Sequence, residues 1–146
     1  MTHPHAEFPL GPFTPYADNP ILTPRGDGWE SGSVYNPAAI VKDGKVVLLY
    51  RAHADDIISH VGLATSDDGI HFERHPEPVL SPTEDYERFG CEDPRVTEID
   101  GTYYLTYTGY NKKDAQLCLA TSKDLIGDMN IVALDVMGHW CSHDRP

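Results

Sequence analysis

An acid pair and a guanidinium lie close together in the middle of the chain, in the run Gly90-Cys91-Glu92-Asp93-Pro94-Arg95. A carboxylate in such a run could act as a general acid, and Arg95 could hold an anion through two parallel hydrogen bonds. The structural alternative is that Asp93 caps a turn before Pro94 while Arg95 pairs with it at the surface. The run alone leaves both interpretations open.

A second cation, Arg51, directly follows the apolar run Lys45–Tyr50, which is typical of a buried strand. An unpaired charge in the interior costs several kcal/mol, so the Arg51 guanidinium must find an acceptor. A substrate oxygen or a phosphate oxygen would serve, and so would the carboxylate of Asp93. Arg51 is therefore a candidate binding residue.

The chain contains an internal repeat that relates these residues. The stretch from Asn36 to Tyr50 aligns with the stretch from Asp93 to Tyr107 at an offset of 57 residues, and a later block, 63–68, aligns with 119–124 at an offset of 56. Sequence repeats of this length indicate a fold built from similar units. Asn36 and Asp93 occupy the same position in the two copies.

Each copy predicts short antiparallel strands. The dipeptides Asp43-Gly44 and Asp100-Gly101 accept the positive φ values that tight hairpins require. The runs that predict strands are Lys45–Tyr50, His60–Thr65, Ile70–His75, Thr102–Tyr107 and Ala115–Thr121. No amphipathic helical window of useful length is present.

A unit of about 57 residues with up to four strands is typical of a propeller blade, whereas a single β-sandwich would explain the strands but not the repeat. In a propeller, equivalent positions of successive blades are related by rotation about one axis. Asn36 and Asp93 should therefore face the same central site.

Composition excludes several function classes. The 146 residues carry 11 Lys+Arg against 23 Asp+Glu, and a net charge of −12 without basic runs argues against nucleic acid or an anionic membrane as partner. No apolar stretch approaches the length of a membrane span, and the absence of a signal segment predicts a cytoplasmic location. The three cysteines lack a C-x-x-C spacing, so we predict no disulfide framework and no metal site.

The order of the chain predicts three segments. Residues 1–25 hold six of the 12 prolines and predict an extended arm. Residues 26–126 predict the first two blades, with repeat units near 36–92 and 93–126. Residues 127–146 form an atypical tail that does not continue the repeat, as a frameshift or a misplaced gene boundary would leave; a genuine divergent terminus is the alternative.

At these residues the sequence resembles glycoside hydrolase family 130, the β-mannoside phosphorylases and related β-mannosidases. The Glu-Asp-Pro-Arg element is the most specific part of the resemblance, which extends from about residue 20 to 126. The matching segments are Asn36-Pro37-Ala38, Tyr50-Arg51-Ala52, the stretch 62–69, the stretch 90–96 and Tyr107-Thr108-Gly109-Tyr110.

The resemblance implies an all-β, five-bladed β-propeller, of which this chain covers roughly two blades. It also implies phosphorolysis, in which inorganic phosphate attacks the anomeric carbon of a β-mannoside with inversion and gives α-mannose 1-phosphate. The catalytic acid of the family maps onto Asp93, and Asn36 and Arg51 match positions that hold the sugar. Arg95 matches the motif as a further substrate-binding candidate without a defined role.

The resemblance implies no cofactor beyond phosphate as co-substrate, a β-mannoside oligosaccharide as partner, and possible homo-oligomers at full length. Later blades supply the cations around phosphate in this family, so the 146 residues alone are expected to be an inactive fragment. Two alternatives stay open: a β-mannoside hydrolase of the same fold, and a non-catalytic glycan-binding or vestigial module. A hydrolase would need a second carboxylate as base, and Asn36 cannot be that base.

Overall fold

The computed structural model describes residues 13–125 and 130–132, which form two antiparallel sheets of four strands each. Within each sheet the strands lie side by side in chain order. The first sheet contains β1 (Ser33–Lys42), β2 (Lys45–His53), β3 (His60–Ser66) and β4 (Glu73–Arg74), and the second contains β5 (Gly90–Ile99), β6 (Thr102–Tyr110), β7 (Ala115–Ser122) and β8 (Asn130–Val132). A single 3-10 turn, Asp85–Glu87, is the helical element in this part of the chain.

The prediction of an all-β fold is confirmed, and the predicted hairpin turns join the first two strands of each sheet. Asp43 and Gly44 have φ values of 50° and 79°, and Asp100 and Gly101 have φ values of 50° and 70°. Two successive residues at positive φ make a turn whose twist matches that of the flanking strands. Asp-Gly therefore closes both hairpins with two residues.

The two sheets repeat the same irregularity as well as the same strands. The register of β1 on β2 shifts between Tyr35 and Ala38, and that of β5 on β6 shifts between Glu92 and Arg95. These bulges lie at equivalent positions of the 57-residue repeat. β5 begins at Gly90, so the second sheet starts slightly before the predicted boundary near residue 93.

The fourth strands differ from the sequence prediction in extent. β4 is shorter than the predicted run 70–75, and Arg74 pairs with Ala64. β8 lies within the segment 127–146, where Ile131 pairs with Ala120. The rest of that tail, and residues 1–12 of the predicted arm, lie outside the described residues.

The main core lies between the two sheets. Leu49, Val61 and Leu63 of the first sheet pack against Leu105 and other buried residues of the second. Burying apolar side chains between two sheets is the main stabilising contribution in such a pair of layers. A smaller cluster on the opposite face of the first sheet contains Tyr50, Ala52 and Ala64, with Trp29 packed against them.

The sheets are also joined through their main chains. Ser59, just before β3, forms a parallel bridge with Gly90 at the start of β5, and the Cys91 amide donates to the Ser59 carbonyl at 2.9 Å. The segment that leads into β3, an inner strand of the first sheet, is therefore bonded to the edge strand β5 of the second sheet. In the part of the chain described, no helix has the length and hydropathy needed to cross a bilayer.

Candidate functional site

The bulges of β1 and β5 bring Asn36 and Asp93 together. Each residue precedes a proline and has a positive φ, 48° for Asn36 and 52° for Asp93. Asn and Asp tolerate this conformation better than other non-glycine residues, and bulges re-aim side chains next to functional sites. The Asn36 amide nitrogen Nδ2 donates to Asp93 Oδ1 at 2.8 Å, so the side chains at the two repeat positions are in contact.

Arg51 of β2 lies beside this pair and has three acceptors. Its Nη1 donates to Asp93 Oδ1 at 3.2 Å, its Nη2 to Glu92 Oε1 at 2.6 Å, and its Nε to Ser59 Oγ at 2.9 Å. The sequence predicts that this guanidinium needs an acceptor, and Asp93 is one of the candidates. The structure provides Asp93 together with a second carboxylate.

Burial differs among the charged groups of the site. The side chains of Arg51 and Glu92 are each 12% exposed, whereas that of Asp93 is 40% exposed. Oδ1 of Asp93 accepts both hydrogen bonds, and Oδ2 has no partner among the described residues. One oxygen of the carboxyl group is thus fixed, while the other is open to a ligand.

The aromatic ring of Tyr35 packs against the Arg51 guanidinium. The Arg51 Cζ atom lies 4.8 Å from the centre of the Tyr35 ring, a cation–π contact. The ring of His53 contacts Tyr35 edge-on at 5.8 Å between ring centres. Tyr35 lies next to Asn36 in β1, so the same strand carries the amide and the platform for the cation.

Arg95 does not join the site. Its side chain is exposed, and its Nη1 donates to the carbonyl of Pro94 at 2.7 Å. The interpretation that paired Arg95 with Asp93 is therefore wrong, because the bulge turns Asp93 toward Asn36 and Arg51. The role of Arg95 as a substrate-binding residue stays a prediction.

A buried Glu–Tyr pair occurs in both blades and was not predicted from the sequence. Tyr50 donates to Glu30 at 2.9 Å, and Tyr107 donates to Glu87 at 2.7 Å. Both members lie 57 residues apart from their counterparts, so extending the repeat upstream of Asn36 would have found them. In the first sheet Glu30 also contacts Arg25 at 2.6 Å and Arg74 at 2.8 Å.

These pairs have different electrostatic settings. Burial raises the pKa of Glu30, but the hydrogen bonds from Arg25, Tyr50 and Arg74 outweigh it and hold that pKa below the usual value. Glu87 is fully buried and accepts from Tyr107 and from the main-chain and side-chain groups of Thr83. The Glu–Tyr pairs lie in the interior and are structural.

The described residues form neither a metal site nor an activated cysteine. Among residues 13–125, no cluster of His, Cys, Asp and Glu has metal-binding geometry. Burial, followed by the nearby Glu87 carboxylate, raises the pKa of the Cys91 thiol, which disfavours the thiolate that a nucleophile requires. Cys141 lies outside the described residues.

The candidate site lies within a segment that matches a known protein family. The family model of glycoside hydrolase family 130, described as β-1,4-mannooligosaccharide phosphorylase, matches residues 19–131. The match therefore includes the whole of the candidate site and most of β8.

Two relatives come from Thermoanaerobacter sp. (strain X514). The chain is 45% identical over 121 residues to a 1,2-β-oligomannan phosphorylase, covering 75% of this chain and 41% of that protein. It is 37% identical over 129 residues to a β-1,2-mannobiose phosphorylase, covering 77% of this chain and 43% of that protein. The chain thus spans less than half the length of these relatives.

A solved structure has a similar fold to this chain. A structure from the group of family 130 glycoside hydrolases that target β-1,2-mannosidic linkages in Candida mannan matches with a TM-score of 0.72 and 36% identity, over 81% of this chain and 39% of that one. The family 130 structures are five-bladed propellers, and the two sheets described above correspond to about two blades. The prediction of a propeller is confirmed.

Proposed function

The chain belongs to glycoside hydrolase family 130, and we propose that it provides the acid-bearing blades of a β-mannoside phosphorylase. In this proposal Asp93 is the catalytic acid, and Asn36 and Arg51 hold both the acid and the mannose ring. The observation that carries the proposal is the fixed Oδ1 and open Oδ2 of Asp93. A proton donor needs a defined position and one oxygen free to reach the substrate.

The reaction that fits this arrangement breaks the bond between the anomeric carbon and the glycosidic oxygen. A phosphate oxygen forms the new bond to the anomeric carbon from the opposite face, which gives α-mannose 1-phosphate. The proton leaves Asp93 Oδ2 for the 3-hydroxyl of the bound mannose, and the proton of that hydroxyl passes to the departing oxygen. Asp93 ends the cycle as a carboxylate and is reprotonated by solvent.

The carboxylates at the site favour phosphorolysis over hydrolysis. An inverting hydrolase needs a second carboxylate as base, separated from the acid by enough space for water. Asn36 occupies the position equivalent to Asp93 and cannot accept a proton in that way. Glu92, the other carboxylate at the site in the described part of the chain, is ion-paired with Arg51 at 2.6 Å. Phosphate needs no base, because the anion is already nucleophilic.

Phosphate binding is not assigned to the two described blades. The Nε, Nη1 and Nη2 nitrogens of Arg51 each donate one hydrogen bond to a protein acceptor, which leaves one N–H on each Nη for the mannose, and Arg95 Nη1 donates to the carbonyl of Pro94. We propose that cations from parts of the protein outside these two blades hold phosphate. We propose that the 146 residues alone have little or no phosphorylase activity.

The names of the relatives suggest the substrate for a test. Both Thermoanaerobacter proteins are named for β-1,2-linked mannosides, whereas the family model is named for the β-1,4 linkage. We propose a β-1,2-linked mannooligosaccharide and phosphate as partners, without a further cofactor, in the cytoplasm. Residues 1–25 are proposed as an arm, 26–126 as two blades and 127–146 as an atypical tail, from which β8 adds the fourth strand to the second blade.

The direct test joins the two blades to the rest of a phosphorylase. Residues 19–131 would replace the matching part of the Thermoanaerobacter 1,2-β-oligomannan phosphorylase, and the product with β-1,2-mannobiose and phosphate would be measured as mannose 1-phosphate. The hybrid should form it in a phosphate-dependent reaction, and Asp93→Asn should lower the rate by about 10²–10⁴-fold. β-1,4-mannobiose tests the linkage in parallel.

The matched control is Asp100→Asn, the same change in the hairpin turn of the same sheet, which should leave the rate unchanged. A hybrid that keeps its rate with Asp93→Asn would refute the role of Asp93. Release of free mannose without phosphate would show a hydrolase instead. The 146-residue chain assayed alone should form no mannose 1-phosphate above background.

A further inference from the structure

Glu92 has no role in the proposed reaction, yet it is the most closely held acceptor at the site. A guanidinium beside a carboxylate commonly forms two parallel hydrogen bonds to the two oxygens. Arg51 does not form this fork on Asp93: Nη1 contacts Oδ1 at 3.2 Å, and Nη2 contacts Glu92 Oε1 at 2.6 Å. The guanidinium is divided between two neighbouring carboxylates.

We propose that Glu92 is a positioning residue: it holds Nη2 of Arg51 away from Asp93 and so keeps Asp93 Oδ2 open to substrate. The inference rests on the proposed function, because the open oxygen matters only if Asp93 donates a proton. If Nη2 were free, it could turn to Oδ2 and occupy the oxygen that must reach the mannose hydroxyl. Glu92 prevents this without touching the substrate.

Burial explains why Glu92 holds Nη2. The Glu92 side chain is 12% exposed and that of Asp93 is 40% exposed, so the contact with Glu92 is less screened by water. Nε of Arg51 is held from the other side by Ser59, which is fully buried. With Nε and Nη2 both fixed, the plane of the guanidinium is set, and Nη1 alone faces Asp93.

The main-chain bridge between the blades places these anchors. Ser59 pairs with Gly90, and a Cβ atom at Gly90 would lie 2.9 Å from Ser59 Cβ and 3.2 Å from Glu92 Cγ. Only glycine allows Ser59 and Glu92 to approach the same strand end without displacement. The position of Arg51 is therefore set by both blades together.

The test uses the 146-residue chain without substrate. Side-chain NMR of arginine and aspartate labelled with ¹⁵N and ¹³C would follow the Nη signals of Arg51 and the carboxyl carbon of Asp93. In Glu92→Ala, Nη2 loses its acceptor and turns to Asp93, so the Arg51 signals and the Asp93 carboxyl signal should both shift. Glu92→Gln keeps an oxygen but loses the charge, and should shift the same signals by less.

Glu98→Ala is the matched control, because Glu98 is an exposed carboxylate on the same strand; it should shift neither signal. The proposal is overturned if the Asp93 carboxyl carbon has the same chemical shift in Glu92→Ala as in Glu98→Ala. If Glu92→Ala does not fold, as judged from lost amide dispersion, an unshifted Asp93 signal in Glu92→Gln overturns it equally. No substrate is involved, so this result is independent of whether the hybrid enzyme turns over mannobiose.

Discussion

Asn36 and Asp93 are the same residue position of two successive blades, and they are joined by a hydrogen bond of 2.8 Å. Both have a positive φ before a proline, at a bulge of the first strand of their sheet. The repeat has therefore been used twice for one site: one copy supplies the carboxyl group, and the other supplies an amide that fixes it. An amide can donate to the carboxylate without adding a second negative charge.

Removing Arg51 should destabilise the chain through the carboxylate it leaves behind. Arg51→Met removes the ion pair to Glu92, whose side chain is 12% exposed, together with the hydrogen bonds to Asp93 and Ser59, and breaking such a buried ion pair should cost about 3 kcal/mol. Urea unfolding of the 146-residue chain, followed by fluorescence, measures the loss.

The double variant Arg51→Met with Glu92→Leu is the control for this effect, because it removes both charges and restores apolar volume. It should be more stable than Arg51→Met alone. Equal stability of the single and the double variant would mean that the Glu92 charge is not the source of the destabilisation in Arg51→Met.

Gly62 should be intolerant of even one methyl group. A Cβ atom there would lie 2.5 Å from Trp29 Cη2 and 2.5 Å from Tyr50 Cζ, two rings that stack at 6.2 Å between centres. Gly62→Ala should therefore lower the melting temperature, at a cost of about 1–3 kcal/mol. Gly28→Ala, which would meet no atom within 4 Å, should change it little, and similar losses for both would refute the packing argument.

The two Glu–Tyr pairs should respond unequally to the same substitution. Tyr107→Phe removes a hydrogen-bond donor from the fully buried Glu87 and leaves one of its oxygens without that donor, which should cost about 1–3 kcal/mol. Tyr50→Phe should cost less, because Glu30 keeps Arg25 and Arg74 as partners. Both free energies of unfolding come from urea titrations, and a larger loss for Tyr50→Phe would contradict this ranking.

Stability should fall in mild acid in part because of His60. Burial, opposed by the nearby Asp56, holds the pKa of His60 below its usual value of 6.5. The unfolded chain therefore takes up a proton at a pH where the folded chain does not. This contribution is complete above about pH 6.5 and is lost as the pH falls toward the lowered pKa.

Unfolding free energies measured from pH 7.5 to 5 would detect the effect of His60, and His60→Gln should flatten the curve in this range. An identical slope in the parent chain and in His60→Gln would exclude His60 as the source.

The sequence predicted the hairpins from local turn residues, and it predicted the proximity of the two repeat positions from the internal repeat. Asp-Gly at 43–44 and 100–101 demanded tight turns, and the 57-residue offset placed Asn36 opposite Asp93. Arg51 was also predicted to need an acceptor, since it ends a buried strand. These inferences required only periodicity and the cost of burying a charge.

The division of Arg51 between two carboxylates was not predictable in the same way. It depends on how far each bulge turns its residues, and a register shift between Glu92 and Arg95 is not visible in the sequence. The same bulge separates Arg95 from Asp93, which is why the proposed pairing of those two residues failed. Ser59 was missed because a serine outside any motif gives no signal until its neighbours are known.

The span of the contacts at the site has a consequence for the order of folding. The pairs that build it are 57, 42 and 41 residues apart in the chain, whereas each hairpin closes through two residues. Long loops lose more entropy on closure, so the hairpins should form before the blades dock. Substitutions at Asn36 or Arg51 should therefore weaken the docking of the two blades and leave the hairpins themselves intact.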